Sequence, residues 1–210
     1  MKDEWDSSRT ESFSDGVFAF AITLLVLDLA VSKSQFHHLW RALADQWPSY
    51  MGYATSFLTV GGIWLVHQAM FRRLRYVNKL LMEINLVLLM AVAFLPFPTK
   101  LMAEAINSTT GAERAAVIFY GASLLVIQLL LGAFWAAASR DRELLRPEVS
   151  EQEAKAILHA ATPNIGSFVG VIVLAIFAPK VAAFGYLLIA IFALARARGN
   201  RTPPATAAST

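Results

Sequence analysis

Long apolar segments separated by short polar connections dominate the hydropathy pattern of this chain. Because a bilayer core about 30 Å thick requires about 20 mostly apolar residues per helix, each segment is a candidate transmembrane helix. The pattern therefore predicts an all-α integral membrane protein with six spans. These spans are residues 13–31, 50–71, 80–103, 115–138, 163–178 and 181–194. The last two are short and nearly continuous, which favours a tight hairpin of two thin spans over a single re-entrant pair.

The distribution of basic residues orients the spans, since cytoplasmic loops carry an excess of Lys and Arg. With six spans, 13 of the 18 Lys and Arg residues fall on one side of the membrane. The five on the other side are Lys33, Arg41, Lys100, Arg114 and Lys180. Both termini are therefore predicted to be cytoplasmic, which requires an even number of spans.

The connections between spans have distinct patterns. Between the first two spans, Phe36, Leu39, Trp40 and Leu43 recur at helical spacing, which predicts a helix lying at the outer membrane interface. The link over residues 139–155 mixes acidic and basic residues and is typical of a cytoplasmic loop with a short helix. Pro, Ala, Thr and Ser dominate the last residues. We expect residues 1–198 to form the six-span domain and residues 199–210 a disordered cytoplasmic tail.

Composition and charge exclude several classes of function. Apolar residues make up 57% of the chain and charged residues 16%, against about 45–50% and about 25% in average soluble domains. Cysteine is absent, which excludes disulfides and thiolate metal sites. The net charge of +3 is too small and too dispersed for a nucleic-acid partner. No nucleophile elbow, zinc-binding His pair or phosphate loop occurs, so neither an enzyme nor a bound cofactor is predicted.

The first span carries an apolar stripe along one face. On a helical wheel, five residues lie within about 40° of Phe20. They are Phe13, Gly16, Leu24, Leu27 and Val31. Thr23 flanks the stripe at about 60°, Asp28 lies at about 80° near the outer end, and Asp15 lies on the opposite face at about 140°.

Two interpretations of this stripe remain open at this stage. A large apolar seam with one glycine is most often a helix-packing face. Alternatively, four copies of the helix surround an axis and form apolar rings, which gate ions by dewetting. In that arrangement Thr23 offers a hydroxyl near the constriction, and Asp28 forms an acidic outer vestibule that concentrates cations.

A motif at the start of the first span bears on this choice. It reads Arg9-x-x-x-Phe13-Ser14-Asp15, and it is followed by Trp64-x-x-His67 in the second span and by Asn85 and Phe94-Leu95-Pro96-Phe97 in the third. This set resembles the signature of the lysosomal-type potassium channel family, transmembrane protein 175, in its prokaryotic single-repeat branch. Motifs carry the resemblance over spans one to three, whereas spans four to six match by length and hydropathy.

The resemblance implies a potassium-permeable homotetramer in the cell membrane of a prokaryote, with a pore lined by the first helix and no carbonyl filter. By position along that helix, it implies that Phe20, Leu24 and Leu27 form the hydrophobic constriction and that Thr23 forms the hydroxyl layer. The innermost constriction residue is commonly Ile in the family, whereas this chain has Phe20. The implied partners are further copies of the chain, the bilayer and monovalent cations, and the implied metal is transient potassium in the pore.

The polar residues of the motif require partners of their own. An unpaired charge within the membrane costs about 2.5–3.5 kcal/mol on insertion scales, and Arg9 and Asp15 point in different directions on the helix. We hypothesise that Arg9, Ser14 and Asp15 bond across to spans two and three, with His67 and Asn85 as candidate partners. Such a network would fix the rotation of the first helix. The alternative is that these bonds hold helices together without any role in gating.

A secondary transporter or proton-coupled cation carrier is the rival function. His67 fits it as an ionisable group within a span, although it is equally consistent with a neutral, hydrogen-bonded histidine. Transporters usually show internal repeats and midplane helices broken by Gly or Pro. The first span of this chain is unbroken and no repeat is detectable, which favours the channel.

Overall fold

The structure is a computed structural model that describes residues 5–30, 33–161 and 165–199. Val31 lies outside the described residues, as do residues 200–210 of the tail expected over 199–210, whereas Gly199 is helical. Nine α-helices are described: α1 Ser7–Leu24, α2 Leu39–Asp45, α3 Trp47–Phe71, α4 Lys79–Phe94, α5 Pro96–Ala105, α6 Thr110–Arg140, α7 Glu151–Ala161, α8 Ile165–Phe177 and α9 Pro179–Gly199. Three 3-10 segments (Leu25–Asp28, Lys33–His38 and Arg142–Leu144) and two strands, β1 Trp5–Asp6 and β2 Tyr76–Val77, complete the regular structure of this part of the chain.

Several of these helices are suited to a bilayer. In the described part of the chain, three are long and apolar enough to cross one: Ser7–Asp28, Lys79–Ala105 and Thr110–Arg140. The 25-residue α3 carries more Ser, Thr and Gly, and two shorter apolar helices, Ile165–Phe177 and Pro179–Ala193, follow near the end. Each of the six predicted spans overlaps one of these helical segments. The protein is thus a helical, multi-pass membrane protein.

Two of the differences between the helix bounds and the predicted spans have a clear physical cause. α1 begins at Ser7, well before Phe13, because the Asp6 side chain caps it by accepting a hydrogen bond from the Ser8 N–H at 3.0 Å. The same bond lowers the pKa of Asp6. The predicted third span is two helices separated at Leu95. Pro96 and Pro98 have no N–H with which to continue the helical hydrogen bonds of α4.

The core of the subunit centres on α6, which packs against α4, α5 and α8. Its inward face is fully buried at Tyr120, Ile127, Phe134 and Trp135. The Trp135 indole N–H donates to the Ala154 carbonyl at 2.8 Å, which fixes α7 against the C-terminal end of α6. α1 packs mainly against α3 and α4.

A small strand ladder, which the hydropathy pattern did not indicate, holds the start of α1. β1 pairs antiparallel with β2 in the α3–α4 connection. Leu74 in the same connection forms a bridge with Leu145 after α6, and the Ser7 hydroxyl donates to the Leu74 carbonyl at 3.4 Å. The first turn of α1 is therefore tied to two loops. Strands of two residues carry no alternating pattern from which they could be predicted.

Candidate ion pathway and the helix contacts behind it

One face of α1 and of the 3-10 segment that follows it is left open by the rest of the described chain. Phe13, Phe20 and Leu27 are 57%, 63% and 69% exposed. Gly16 is exposed as well, and a Cβ added to it would meet no atom within 4 Å. The stripe therefore does not pack against the other described helices of its own chain. It is available to lipid or to further copies of the protein.

The opposite face of α1 is buried. Ser14, Phe18, Ala21 and Leu25 recur at helical spacing and are at most 1% exposed. They pack against α3 and α4, which sets the rotation of the helix. The exposed stripe points away from the bundle because this seam points into it.

Thr23 and Leu24 flank the open face differently. Thr23 is exposed and its hydroxyl donates to the Phe20 carbonyl at 2.8 Å. Because the proton is used within the helix, the oxygen lone pairs remain free to accept from water or to contact a cation. Leu24 is half-buried, so its side chain lies at the edge of the stripe rather than at its centre.

A buried chain of hydrogen bonds joins α1, α3 and α4. The Ser14 hydroxyl donates to the Thr10 carbonyl at 2.8 Å and accepts from the Asn85 amide at 2.9 Å. The Asn85 oxygen lies 3.0 Å from Nε2 of His67. All three side chains are at most 1% exposed, so the structure brings Ser14, Asn85 and His67 together in the interior.

The His67 ring is enclosed by aromatic side chains. Phe71 stacks on it at 4.5 Å between ring centroids, Phe18 lies at 5.2 Å and Phe134 at 6.2 Å. Nδ1 has no hydrogen-bond partner among the described residues, and the Asn85 oxygen accepts from a protonated Nε2. This geometry suits a neutral, hydrogen-bonded histidine, because a relay would need a polar partner at each nitrogen.

Asp15 has a different partner from those hypothesised. The Trp64 indole N–H donates to Oδ1 of Asp15 at 2.8 Å, and neither His67 nor Asn85 bonds to that carboxylate. Arg9 is exposed, and its side chain has no hydrogen bond or ion pair with another described residue. Trp64 lies three residues before His67, hence on the same face of α3. That spacing in the sequence could have identified Trp64 as a candidate partner of Asp15.

Asp28, which ends the 3-10 segment after α1, is paired with a lysine. Its Oδ1 lies 3.9 Å from Nζ of Lys100, which lies 4.0 Å from Oε1 of Glu104. The pairing of Asp28 with Lys100 could not be predicted from the sequence, because the two residues are far apart in the chain and meet only through the packing of α5 beside the 3-10 segment.

The described residues contain no group of three or more His, Asp or Glu side chains placed to hold a metal ion. The open face of α1 presents large apolar side chains and the Thr23 hydroxyl.

Comparison with known proteins agrees with the motif analysis. The family model for the endosomal/lysosomal potassium channel TMEM175 matches residues 9–96. This range contains the whole motif of α1, together with Trp64, His67 and Asn85. The side chains of the hydrogen-bond chain that joins α1, α3 and α4 therefore lie in the matched part of the chain.

Individual proteins extend the match. A potassium channel of Streptomyces collinus is 41% identical over 152 residues, which cover 72% of this chain and 73% of that protein. The endosomal/lysosomal proton channel TMEM175 of Danio rerio is 34% identical over 154 residues, which cover 67% of this chain and 29% of that protein. A crystal structure of a lysosomal potassium-selective channel TMEM175 homolog from Chamaesiphon minutus superposes with a TM-score of 0.81 at 30% identity, covering 91% of this chain and 97% of the other.

Proposed function

Because this chain belongs to the endosomal/lysosomal potassium channel TMEM175 family, we propose that it is a potassium-permeable cation channel. Relatives from Streptomyces collinus and Chamaesiphon minutus, which match about three quarters of their own length, are named potassium channels. The protein acts as a multi-pass channel in the cell membrane of a prokaryote. Potassium is its permeant ion rather than a bound cofactor.

The proposed channel is a homotetramer of six-span subunits with both termini in the cytoplasm. Residues 1–198 form the channel domain, with α1, α3, α4–α5, α6, α8 and α9 as its spans. Four copies of α1 surround the axis. The excess of basic residues on one side supports the orientation.

The observation that carries this proposal is the open face of α1. Phe20 and Leu27 are among the most exposed large apolar side chains described, although the same helix buries a continuous seam on its other side. In the tetramer these side chains converge, and Phe20, Leu24 and Leu27 form the hydrophobic constriction. Apolar rings of this kind control ions by the cost of dewetting the narrow region.

The polar groups of α1 have separate roles in this mechanism. Thr23 supplies the hydroxyl layer, since its oxygen lone pairs are free, and Asp28 contributes the acidic field of the outer vestibule. Ser14 and Asp15 hold the rotation of α1 through Asn85, His67 and Trp64, so that the stripe meets the axis. Arg9 and Phe13 lie at the inner mouth, on the cytoplasmic side of the constriction.

Reconstitution of the purified protein tests the function directly. We expect unitary current steps in potassium chloride and a smaller current when sodium replaces potassium. A slow, coupled flux without current steps would support the secondary transporter or proton-coupled carrier instead. Absence of any potassium flux from properly folded protein would contradict the proposal.

A further inference from the structure

The Lys100 ammonium lies between two carboxylates at the outer end of α1. Its Nζ is 3.9 Å from Oδ1 of Asp28 and 4.0 Å from Oε1 of Glu104. The side chains of Lys100 and Glu104 are 54% and 65% exposed, whereas that of Asp28 is 23% exposed. Together the three groups carry one net negative charge per subunit instead of two.

The backbone around Lys100 is held firmly. The neighbouring Thr99 is buried, its hydroxyl donates to the Leu95 carbonyl at 2.8 Å, and its oxygen lies 2.7 Å from that of Ser56. These bonds fix α5 just after the helix break, where the 3-10 segment that ends in Asp28 packs against α5. The position of the ammonium beside the end of α1 thus follows from the α4–α5 break.

Stability is a poor explanation for this arrangement. Ion pairs of an exposed lysine at such distances contribute little, because water screens the ammonium and ordering its side chain costs entropy. A fixed positive charge at the mouth of a pathway has a larger effect on mobile ions, since local potentials set local ion concentrations.

We propose that Lys100 is a tethered counter-cation that limits how strongly Asp28 concentrates permeant cations at the outer mouth. This inference rests on the proposed function, because it needs α1 to line the pathway. The ammonium occupies the place beside the Asp28 carboxylate that a cation from solution would otherwise take. Lys100 thereby sets the conductance for ions that enter from the outer side.

Replacing Lys100 by glutamine removes one positive charge per subunit and leaves a polar side chain of similar length. By Coulomb's law in water, a unit charge about 10 Å from the ion path changes the local cation concentration by about twofold. The effect should fade with added salt, because the Debye length falls from about 30 Å at 0.01 M to about 3 Å at 1 M.

The test uses the full-length protein in planar bilayers, with unitary currents recorded in potassium chloride at about 0.01 M and about 1 M. Lys100→Gln should raise the current entering from the Lys100 side about twofold or more at low salt, with little change at high salt. Lys100→Arg, which keeps the charge, should behave as the unmodified protein does. Lys180→Gln is the matched control, since Nζ of Lys180 is 3.3 Å from Oε1 of Glu113 on α6 and pairs with that carboxylate instead of with Asp28.

Each outcome decides the matter. If the unmodified protein conducts potassium but Lys100→Gln leaves the low-salt current unchanged, the inference about Lys100 is wrong while the proposed function stands. An equal increase in Lys180→Gln would also overturn the inference, because surface charge in general would then be responsible. If the unmodified protein carries no potassium current, the proposed function itself fails.

Discussion

Phe20 is a single side chain on which the proposed mechanism can be tested. Phe20→Asn replaces an apolar ring by a polar amide, which should keep the narrow region wet. We expect conductance to rise about tenfold, equivalent to about 1.4 kcal/mol, with weaker discrimination of potassium from sodium. Bilayer recordings in the two salts measure both quantities.

Phe192→Asn provides the matched control, because Phe192 on α9 is also 63% exposed. That variant introduces the same amide at an equally open position on a different helix and should conduct as the unmodified protein does. If the two variants behave alike, Phe20 does not face the pathway.

Trp64 offers a second test at this scale. Trp64→Phe removes the indole N–H that donates a hydrogen bond to Asp15. A hydrogen bond to a charged group contributes about 1.5–3 kcal/mol to stability. We expect a lower melting temperature and weaker assembly, both measured in detergent by thermal unfolding and size-exclusion chromatography. Combined with Asp15→Ala, the loss should be less than additive, since one interaction is removed twice.

The control for Trp64 is Trp47→Phe. Trp47 stacks on Phe184, and phenylalanine can keep that contact. An equal loss of stability in both variants would mean that ring size, and not the hydrogen bond to Asp15, is responsible.

The sequence motif predicted some of the side-chain contacts between the first helix and its neighbours. Ser14, Asn85 and His67 were placed in one network from their positions in the motif, and the structure joins them. The pairing of Trp64 with Asp15, and the exposure of Arg9, depend on the relative rotation of two helices. Hydropathy patterns give the position of a helix along the chain but not that rotation.

At the scale of helices, a buried hydroxyl cluster holds the broken third span in place. The Ser56 oxygen on α3 lies 2.7 Å from that of Thr99 on α5 and 2.9 Å from that of Tyr120 on α6. Ser56→Ala leaves two buried hydroxyls with fewer partners, and hydrogen bonds between membrane helices contribute about 0.6–2 kcal/mol. We expect a loss of that size in the free energy of unfolding, measured by denaturant titration in detergent.

Ser123→Ala tests the same substitution at a half-exposed site. Its hydroxyl bonds only within α6, to the Phe119 carbonyl, so the change should be close to neutral. A comparable loss at both sites would contradict a special role for the cluster.

Hydropathy predicted the apolar segments well at this scale, because about 20 consecutive apolar residues leave few alternatives to a membrane helix. The break in the third span follows from Pro96 and Pro98, which have no N–H to continue a helical hydrogen-bond ladder, and the structure places that break at Leu95. The strand ladder was missed, because its pairing joins residues more than 65 positions apart.

At the scale of the whole molecule, the absence of cysteine allows a direct test of assembly. Phe20→Cys should cross-link between copies with a short thiol-reactive reagent if four α1 helices meet at an axis, and denaturing gels should show bands up to the tetramer. Leu188→Cys on α9, where the leucine is 66% exposed, should remain monomeric. Cross-linking at residue 188 alone would place a different helix at the axis.

The number of copies could not be derived from the chain by physical reasoning. An exposed apolar face is equally compatible with lipid and with a neighbouring subunit, because both are apolar surroundings. The resemblance to a known family supplied the tetramer as an expectation, and the cross-linking pattern decides it.

The strand ladder at the start of α1 has a practical consequence for anyone who handles this protein. A bulky fusion partner or antibody attached beside Trp5 would compete with β2 for the same backbone bonds and would pull on the first turn of the helix. A label that must not disturb the protein should therefore be attached at another site. A binding protein selected against this ladder would shift the first turn of α1 from the aqueous side.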